Sequence, residues 1–287
     1  MTFDKRARGL AAVALAFAWA GVAWMGGVGV AMAGEPQPWQ MTYQPAVTPI
    51  AVHVHAFNDL LMAIIISICV IVFALLGYVL WRFNAKRNPI PSKTTHNTLL
   101  EVVWTVVPIM ILVVIAIPSF KLLYFTDRTP EAALTIKAIG NQWYWTYEYP
   151  DQGFTFDALM VDEEDLKPGQ PRLLTADEAV VIPVNTTVRV LTTGADVIHS
   201  WAVPAFAIKI DSIPGRLNEA WMRVTEEGTY YGQCSELCGV GHGFMPIMIK
   251  VVSKEAFAAW LESAKKNYAR LDAAPTRSVA LAADGTL

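Results

Sequence analysis

Charge is scarce in this chain. Asp, Glu, Lys and Arg make up 16% of its 287 residues and apolar residues 54%, against roughly 25% and 45–50% in an ordinary soluble domain. Cysteine is scarcer still, at three residues, and histidine stands at five. C-x-x-C-H is missing, which removes any sign of a covalently attached c-type haem. A basic stripe and a nucleic-acid reading module are both missing, so DNA and RNA drop out as partners. Internal repeats are missing, which argues against a propeller.

The apolar excess has an address: three stretches within the first 120 residues. Residues 1–33 set Lys5, Arg6 and Arg8 ahead of an apolar run that closes on Ala31-Met32-Ala33, the pattern of a secretory signal peptide cut before Gly34. The alternative is a retained membrane helix, and either one sends the chain into an export pathway. Leu60 to Trp81 carries no charge across 22 residues, enough at 1.5 Å per residue to cross a hydrocarbon core of about 30 Å. Leu99 to Phe120 is equally long, with Glu101 near one end and Pro108 and Pro118 inside it. It still reads as a span, because membrane helices tolerate proline where neighbouring groups satisfy the freed carbonyl. Between the spans lie Arg82, Lys86, Arg87 and Lys93 with no acid, whereas Gly34 to Asp59 holds no Lys or Arg. The positive-inside rule therefore puts the link in the cytoplasm and both ends of the mature chain outside.

From Lys121 onward the composition is that of a soluble domain, with 21 acidic against 15 basic residues. A net charge near −6 favours a basic partner. Runs rich in β-branched and aromatic residues, at 133–140, 141–149, 178–184, 187–193, 198–204, 218–224, 228–234 and 245–252, are separated by Pro, Gly and acidic turns. They predict a sandwich or barrel rather than an α/β fold. Residues 161–178 read as a surface excursion, Ser253 to Leu271 as a capped amphipathic helix, and the remainder as a loose tail. Alternation puts Trp143, Trp145 and Tyr147 on one face of a strand.

The chemistry concentrates in "YYGQCSELCGVGHGFMPIM", Tyr230 to Met248. Cys234, Cys238 and His242 recur at intervals of four and Met245 follows three later, in a glycine-rich stretch that predicts a loop wrapped around something. A disulfide is the plain alternative for the two cysteines, but it has no use for the histidine and methionine beside them. Two thiolates, an imidazole and a thioether form a soft set suited to copper, and the intervals alone leave zinc or mononuclear copper open. Two thiolates can also bridge two copper ions. A second histidine is wanted, and His199 in "ADVIHSWAVP" is the best candidate. His53, His55 and His96 lie before the first span or in the cytoplasmic link. Glu101, an ionisable group in a span, is a default proton-path candidate, with a boundary marker as the bland reading.

These motifs, with "NQWYWTYEY", "HSWAVP" and "DSIPGR", resemble subunit 2 of the haem-copper cytochrome c oxidases over nearly the whole chain. The resemblance implies a two-helix transmembrane hairpin followed by an all-β, cupredoxin-like (Greek-key) exported domain. Its expected divisions are signal peptide 1–33, N-terminal periplasmic segment 34–59, helices 60–81 and 99–120 around cytoplasmic loop 82–98, cupredoxin domain 121–252, and C-terminal helix and tail 253–287. It implies a binuclear copper A centre in a bacterial inner membrane protein. His199 and His242 each supply a nitrogen, Cys234 and Cys238 the bridging sulfurs, Met245 a weak ligand, and Glu236 its backbone carbonyl. The Glu236 carboxylate turns toward a magnesium or manganese ion shared with subunit 1.

The resemblance further implies that Trp143 receives the electron from cytochrome c and that Glu101 stands at the mouth of a proton channel. Partners are cytochrome c, subunits 1 and 3 and the bilayer. Glu148, Asp196 and Asp157 are docking candidates, and Ala195 replaces an acid that some relatives carry. Oxygen reduction belongs to the complex and not to this chain alone. The competing readings are a membrane-tethered copper carrier or electron-transfer module outside an oxidase, and a metal-free quinol oxidase subunit, the latter opposed by the full ligand set.

Overall fold

The computed structural model describes residues 34–271. The expected signal peptide and the tail beyond Leu271 lie outside the described residues. Helix α1 runs Pro49–Arg82 and α2 runs Thr98–Asp127. Each starts where side-chain chemistry starts it. Thr48 Oγ1 accepts from Ala51 N at 3.0 Å ahead of Pro49 in the first turn, and Asn97 Oδ1 accepts from Leu100 N at 3.1 Å. The apolar runs expected at 60–81 and 99–120 fall inside these helices. Their side chains face outward from the protein, as a lipid-facing hairpin requires.

The β domain is a sandwich of two mixed sheets. One holds β1 (Leu134–Asn141), β2 (Tyr144–Tyr149), β3 (Phe154–Ala158), β5 (Val188–Gly194), β8 (Asn218–Met222) and β11 (Ala269–Arg270), in the order β11-β3-β2-β1-β5-β8. The other holds β4 (Val180–Pro183), β6 (His199–Val203), β7 (Ile208–Ser212), β9 (Gly228–Cys234) and β10 (Pro246–Val252), in the order β4-β10-β9-β6-β7. Pairs β1·β5 and β4·β10 are parallel and the remaining pairs antiparallel.

Alternation sends Leu134, Ile136 and Ala138 of β1, and Trp145, Tyr147 and Tyr149 of β2, into the core. Polar atoms on these large rings find partners across the sandwich. Trp201 Nε1 donates to Tyr147 Oη at 3.3 Å, and Tyr149 Oη donates to Val181 O at 2.8 Å while accepting from Val181 N at 3.0 Å. Burying such rings with their polar ends satisfied stiffens the core that carries the loops.

The structure departs from the sequence reading at several points. Residues 154–158 and 208–212 are strands that were not expected. Trp143 does not share the face of Trp145 and Tyr147, because Gln142 and Trp143 form the β1–β2 turn while Asn141 pairs with Tyr144. Helix α3 (Lys254–Asn267) ends short of Leu271, since Tyr268 leaves it to stack on Phe156 at 4.6 Å and the chain pairs with β3.

The hairpin is fastened to the sandwich at two points. Thr48 Oγ1 donates to Phe206 O at 2.9 Å, and Trp221 Nε1 donates to Phe125 O at 3.3 Å. Phe206 follows the far end of β6 from His199. The first anchor point and the histidine are therefore separated by the length of that strand, roughly 15 Å at about 3.3 Å per residue.

Candidate metal centre

Three connections meet at one end of the sandwich: the Gln142–Trp143 turn, the 195–198 stretch and the 235–245 loop. His199 opens β6 and Cys234 closes β9. The strands hold them by the Trp201–Cys234 pairing, extended by Ser235 N donating to Ser200 O at 3.0 Å. Cys238, His242 and Met245 come from the loop. A short 3-10 turn over His242–Phe244, closed by Phe244 N to Gly241 O at 2.9 Å, returns the chain to β10.

Donor atoms line up in sequence. His199 Nδ1 is 3.9 Å from Cys234 Sγ, which is 3.9 Å from Cys238 Sγ. Cys238 Sγ is 3.7 Å from His242 Nδ1 and 3.6 Å from Met245 Sδ. The Glu236 carbonyl oxygen lies 3.3 Å from Cys234 Sγ, while its side chain is exposed. His199, Cys234, Cys238 and Met245 are 0%, 5%, 3% and 1% exposed, and His242 is half-buried. All six residues singled out in the sequence thus gather here. Neither cysteine is in a disulfide.

A soft, buried donor set suits copper. The sulfur separation is less than twice a metal–thiolate bond of about 2.3 Å, so both thiolates can reach one ion. His199, Cys234 and Cys238 form a group whose ligand atoms all lie within 4.8 Å of one another, a geometry ready for a metal. The remote nitrogen of His199 is already engaged, since Nε2 stands 2.8 Å from Asp196 Oδ1. A carboxylate in that position fixes the tautomer and leaves Nδ1 free to ligate.

The same contacts set the charge states. Burial opposes charging of the His199 ring, but Cys234 and Asp196 on its two nitrogens outweigh it and hold the pKa above the usual imidazole value. Burial likewise works against the Cys234 thiolate, yet hydrogen bonds from His199 and the backbone at Glu236 and Ser200 bring its pKa down. Cys238 goes the other way, pushed up by burial and by its charged neighbour Cys234.

Trp143 borders this cluster, half-buried. Its Nε1 donates to Cys238 O at 3.1 Å, and Gln142 Nε2 donates to the same oxygen at 2.8 Å. Gly241 makes room for the ring: a Cβ there would lie 2.4 Å from Trp143 Cγ and Cδ2. Gly140 does the same for His199, since a Cβ would lie 2.6 Å from His199 Cγ. Gln142 was missed in the sequence, although it adjoins Trp143.

The three docking candidates are all engaged. Glu148 pairs with Lys137 at 3.0 Å, Asp157 accepts from Thr146 Oγ1 at 2.6 Å, and Asp196 is held as described. Glu101 stands apart in the first turn of α2, where its Oε1 accepts from Asn97 N at 3.2 Å. That contact lies at the helix start.

Similarity to known proteins matches this architecture. The family described as cytochrome C oxidase subunit II, periplasmic domain, matches residues 134–252, and the corresponding transmembrane domain matches residues 36–122. A probable cytochrome c oxidase subunit 2 of Rickettsia felis is 55% identical over 235 residues, covering 82% of this chain and 75% of that protein. Cytochrome c oxidase subunit 2 of Cereibacter sphaeroides is 46% identical over 250 residues, covering 81% and 82%. The crystal structure of the periplasmic domain of subunit II of cytochrome oxidase of Bradyrhizobium japonicum is 58% identical. It covers 50% of this chain and 100% of its own, with a TM-score of 0.47.

Two helices therefore cross the membrane and carry a cupredoxin-like domain outside it, in which His199, Cys234 and Cys238 form a cluster suited to a metal ion. The chain belongs to the cytochrome c oxidase subunit II family, as an electron-transferring subunit within a larger oxidoreductase rather than its oxygen-reducing centre.

Proposed function

We propose that this chain takes electrons from reduced cytochrome c at a binuclear copper A site and passes them to haem in subunit 1, where oxygen is reduced to water with proton pumping. The carrying observation is the order of the donors: nitrogen, sulfur, sulfur, nitrogen, with a thioether beside the second sulfur. His242 joins at the Cys238 end and is not among the three mutually close ligands. A set spread out in this way suits two ions bridged by thiolates better than one tetrahedral ion. Two such ions would supply a one-electron carrier with the unpaired electron shared between them.

In this reading Cys234 and Cys238 would supply both sulfurs, His199 and His242 one nitrogen each, and Met245 and the Glu236 carbonyl would complete the set. The exposed Glu236 carboxylate is free to reach a magnesium or manganese ion shared with subunit 1. Trp143, hydrogen-bonded to the Cys238 carbonyl, receives the electron. Glu101 admits protons from the cytoplasmic side, and subunit 3 completes the partner set. Burial of four of the ligands to 5% exposure or less weighs against a copper carrier, which must hand its ion over. The test is cytochrome c oxidation by the assembled oxidase carrying Cys234→Ser. Loss of both copper and activity is expected; full activity with the serine in place overturns the proposal.

A further inference from the structure

We propose that the outward end of the transmembrane hairpin is a phospholipid site, in which Lys121 takes the phosphate diester of the headgroup and the acyl chains run down a groove between α1 and α2. The groove has a volume of about 440 Å³, inside the range of roughly 300–1,000 Å³ usual for small-molecule sites. Its walls include His53, Phe57 and Leu60 of α1 and Pro118, Lys121 and Phe125 of α2. Leu60 and Pro118 belong to the apolar runs 60–81 and 99–120, whereas His53 and Lys121 lie just beyond them. The groove therefore straddles the boundary between hydrocarbon and headgroups. Its occupant must be apolar at one end and polar at the other.

Lys121 sets the chemistry of the polar end. Among the described residues it has no ion-pair partner, and an unpaired cation beside a membrane span calls for an anion. At headgroup depth that anion is the phosphate of a lipid, which a lysine ammonium binds as a point charge. The apolar face of a neighbouring protein helix would leave the charge unmet. His53 offers a complementary group: its Nδ1 stands 2.7 Å from Pro49 O, and a carbonyl only accepts, so in the neutral ring Nδ1 carries the hydrogen. Nε2 is then left as an acceptor, suited to the ammonium or hydroxyl at the tip of a phospholipid headgroup. Phe125 closes the top, with its ring 4.7 Å from that of His53 and edge-on at 5.4 Å to that of Trp221 in β8. The sandwich thus stands above the polar end, and the acyl chains are left the direction of the hydrocarbon.

The test is photolabelling of the assembled oxidase in detergent, after bulk lipid has been washed away. Two probes with identical diazirine-bearing acyl chains are compared: a phosphatidylglycerol, and a diacylglycerol that lacks the phosphate. Labelled peptides are mapped by mass spectrometry, and labelling at Val72, an exposed mid-span position, reports unspecific contact. Relative to that position, the phosphatidylglycerol is expected to label residues 56–60 and 118–122 about tenfold more than the diacylglycerol does, as for gain of a charge-assisted hydrogen bond. Lys121→Ala is expected to lower the phosphatidylglycerol label about tenfold, and Lys121→Arg to retain it.

Groove labelling that differs by less than about threefold between the two probes, or between wild type and Lys121→Ala, overturns the proposal. So does the absence of label from the groove while Val72 is labelled, the result expected if a segment of subunit 1 fills it. Turnover with cytochrome c checks that each variant assembles. Should Lys121→Ala fail that check, the comparison of the two probes on the wild-type complex gives the decision alone. The labelling is independent of how many copper ions the exported domain holds.

Discussion

Substituting Gly241 by alanine tests the seat of Trp143 with the smallest available change. Gly241 has φ −91° and ψ 13°, a backbone that alanine adopts without strain, so the whole effect is steric. The added Cβ would stand 2.4 Å from Trp143 Cγ and Cδ2 and 2.8 Å from Cε3. Carbon atoms rest at about 3.5–4.0 Å, so the ring must retreat by about 1 Å. Retreat strains the 3.1 Å bond from Trp143 Nε1 to the Cys238 carbonyl, which lies in the backbone of a sulfur ligand.

Overpacking of this kind costs about 1–3 kcal/mol, or roughly 2–4 °C in Tm for each kcal/mol in a domain of this size. The expected Gly241→Ala protein therefore keeps its copper, melts a few degrees lower, and oxidises cytochrome c more slowly. Thermal unfolding of the full chain in detergent, a metal count and steady-state turnover of the assembled oxidase measure the three quantities. Wild-type turnover at full copper occupancy would refute the claim that electrons arrive through the seated Trp143 ring.

The remaining expectations concern the ligands and the strand that carries them. Gly232→Ala would bring a Cβ to 2.0 Å from the Ala202 carbonyl oxygen, a backbone atom of the paired strand β6; loss of more than about 3 kcal/mol and of copper binding is expected by melting and metal analysis. Met245→Leu conserves volume at a buried position, so a stability change under about 1.5 kcal/mol, full copper content and an altered midpoint potential are expected from denaturation and redox titration. Copper uptake should strengthen as pH rises, because ligation displaces protons. The Cys238 thiol is held high by burial and the Cys234 charge, so ligation displaces its proton across the neutral and mildly alkaline range, and the apparent affinity in a competition titration should rise there with pH, about tenfold per pH unit for each proton displaced.

The gathering of these side chains was legible because metal chemistry is written in residue types: two cysteines, a histidine and a methionine in one glycine-rich loop allow few readings. The hairpin was legible because 22 uncharged residues have few soluble uses. The true start of α1 was masked by His53, His55, Asn58 and Asp59, which interrupt the apolar run, although the Thr48-Pro49 cap is a local signal for it. Strand β7 alternates poorly, with Lys209 and Asp211 between apolar residues, and is made by its pairing with β6. Trp143 was misplaced because strict alternation carries a strand straight through a two-residue turn that nothing in "NQWYW" announces. The hydrogen bonds of Asp196 are not legible in the sequence, because its three partners come from its own loop and from a turn more than 50 residues away. A single acid in a sequence carries no mark of such convergence.

The central claim is the bridged pair of copper ions. It is tested most directly by electron paramagnetic resonance with a metal count on the full chain in detergent, after copper loading and mild oxidation. Two coppers per chain and a seven-line hyperfine pattern, from one electron shared equally between both nuclei, are expected. One copper per chain with a four-line pattern, persisting at full loading, would contradict the account.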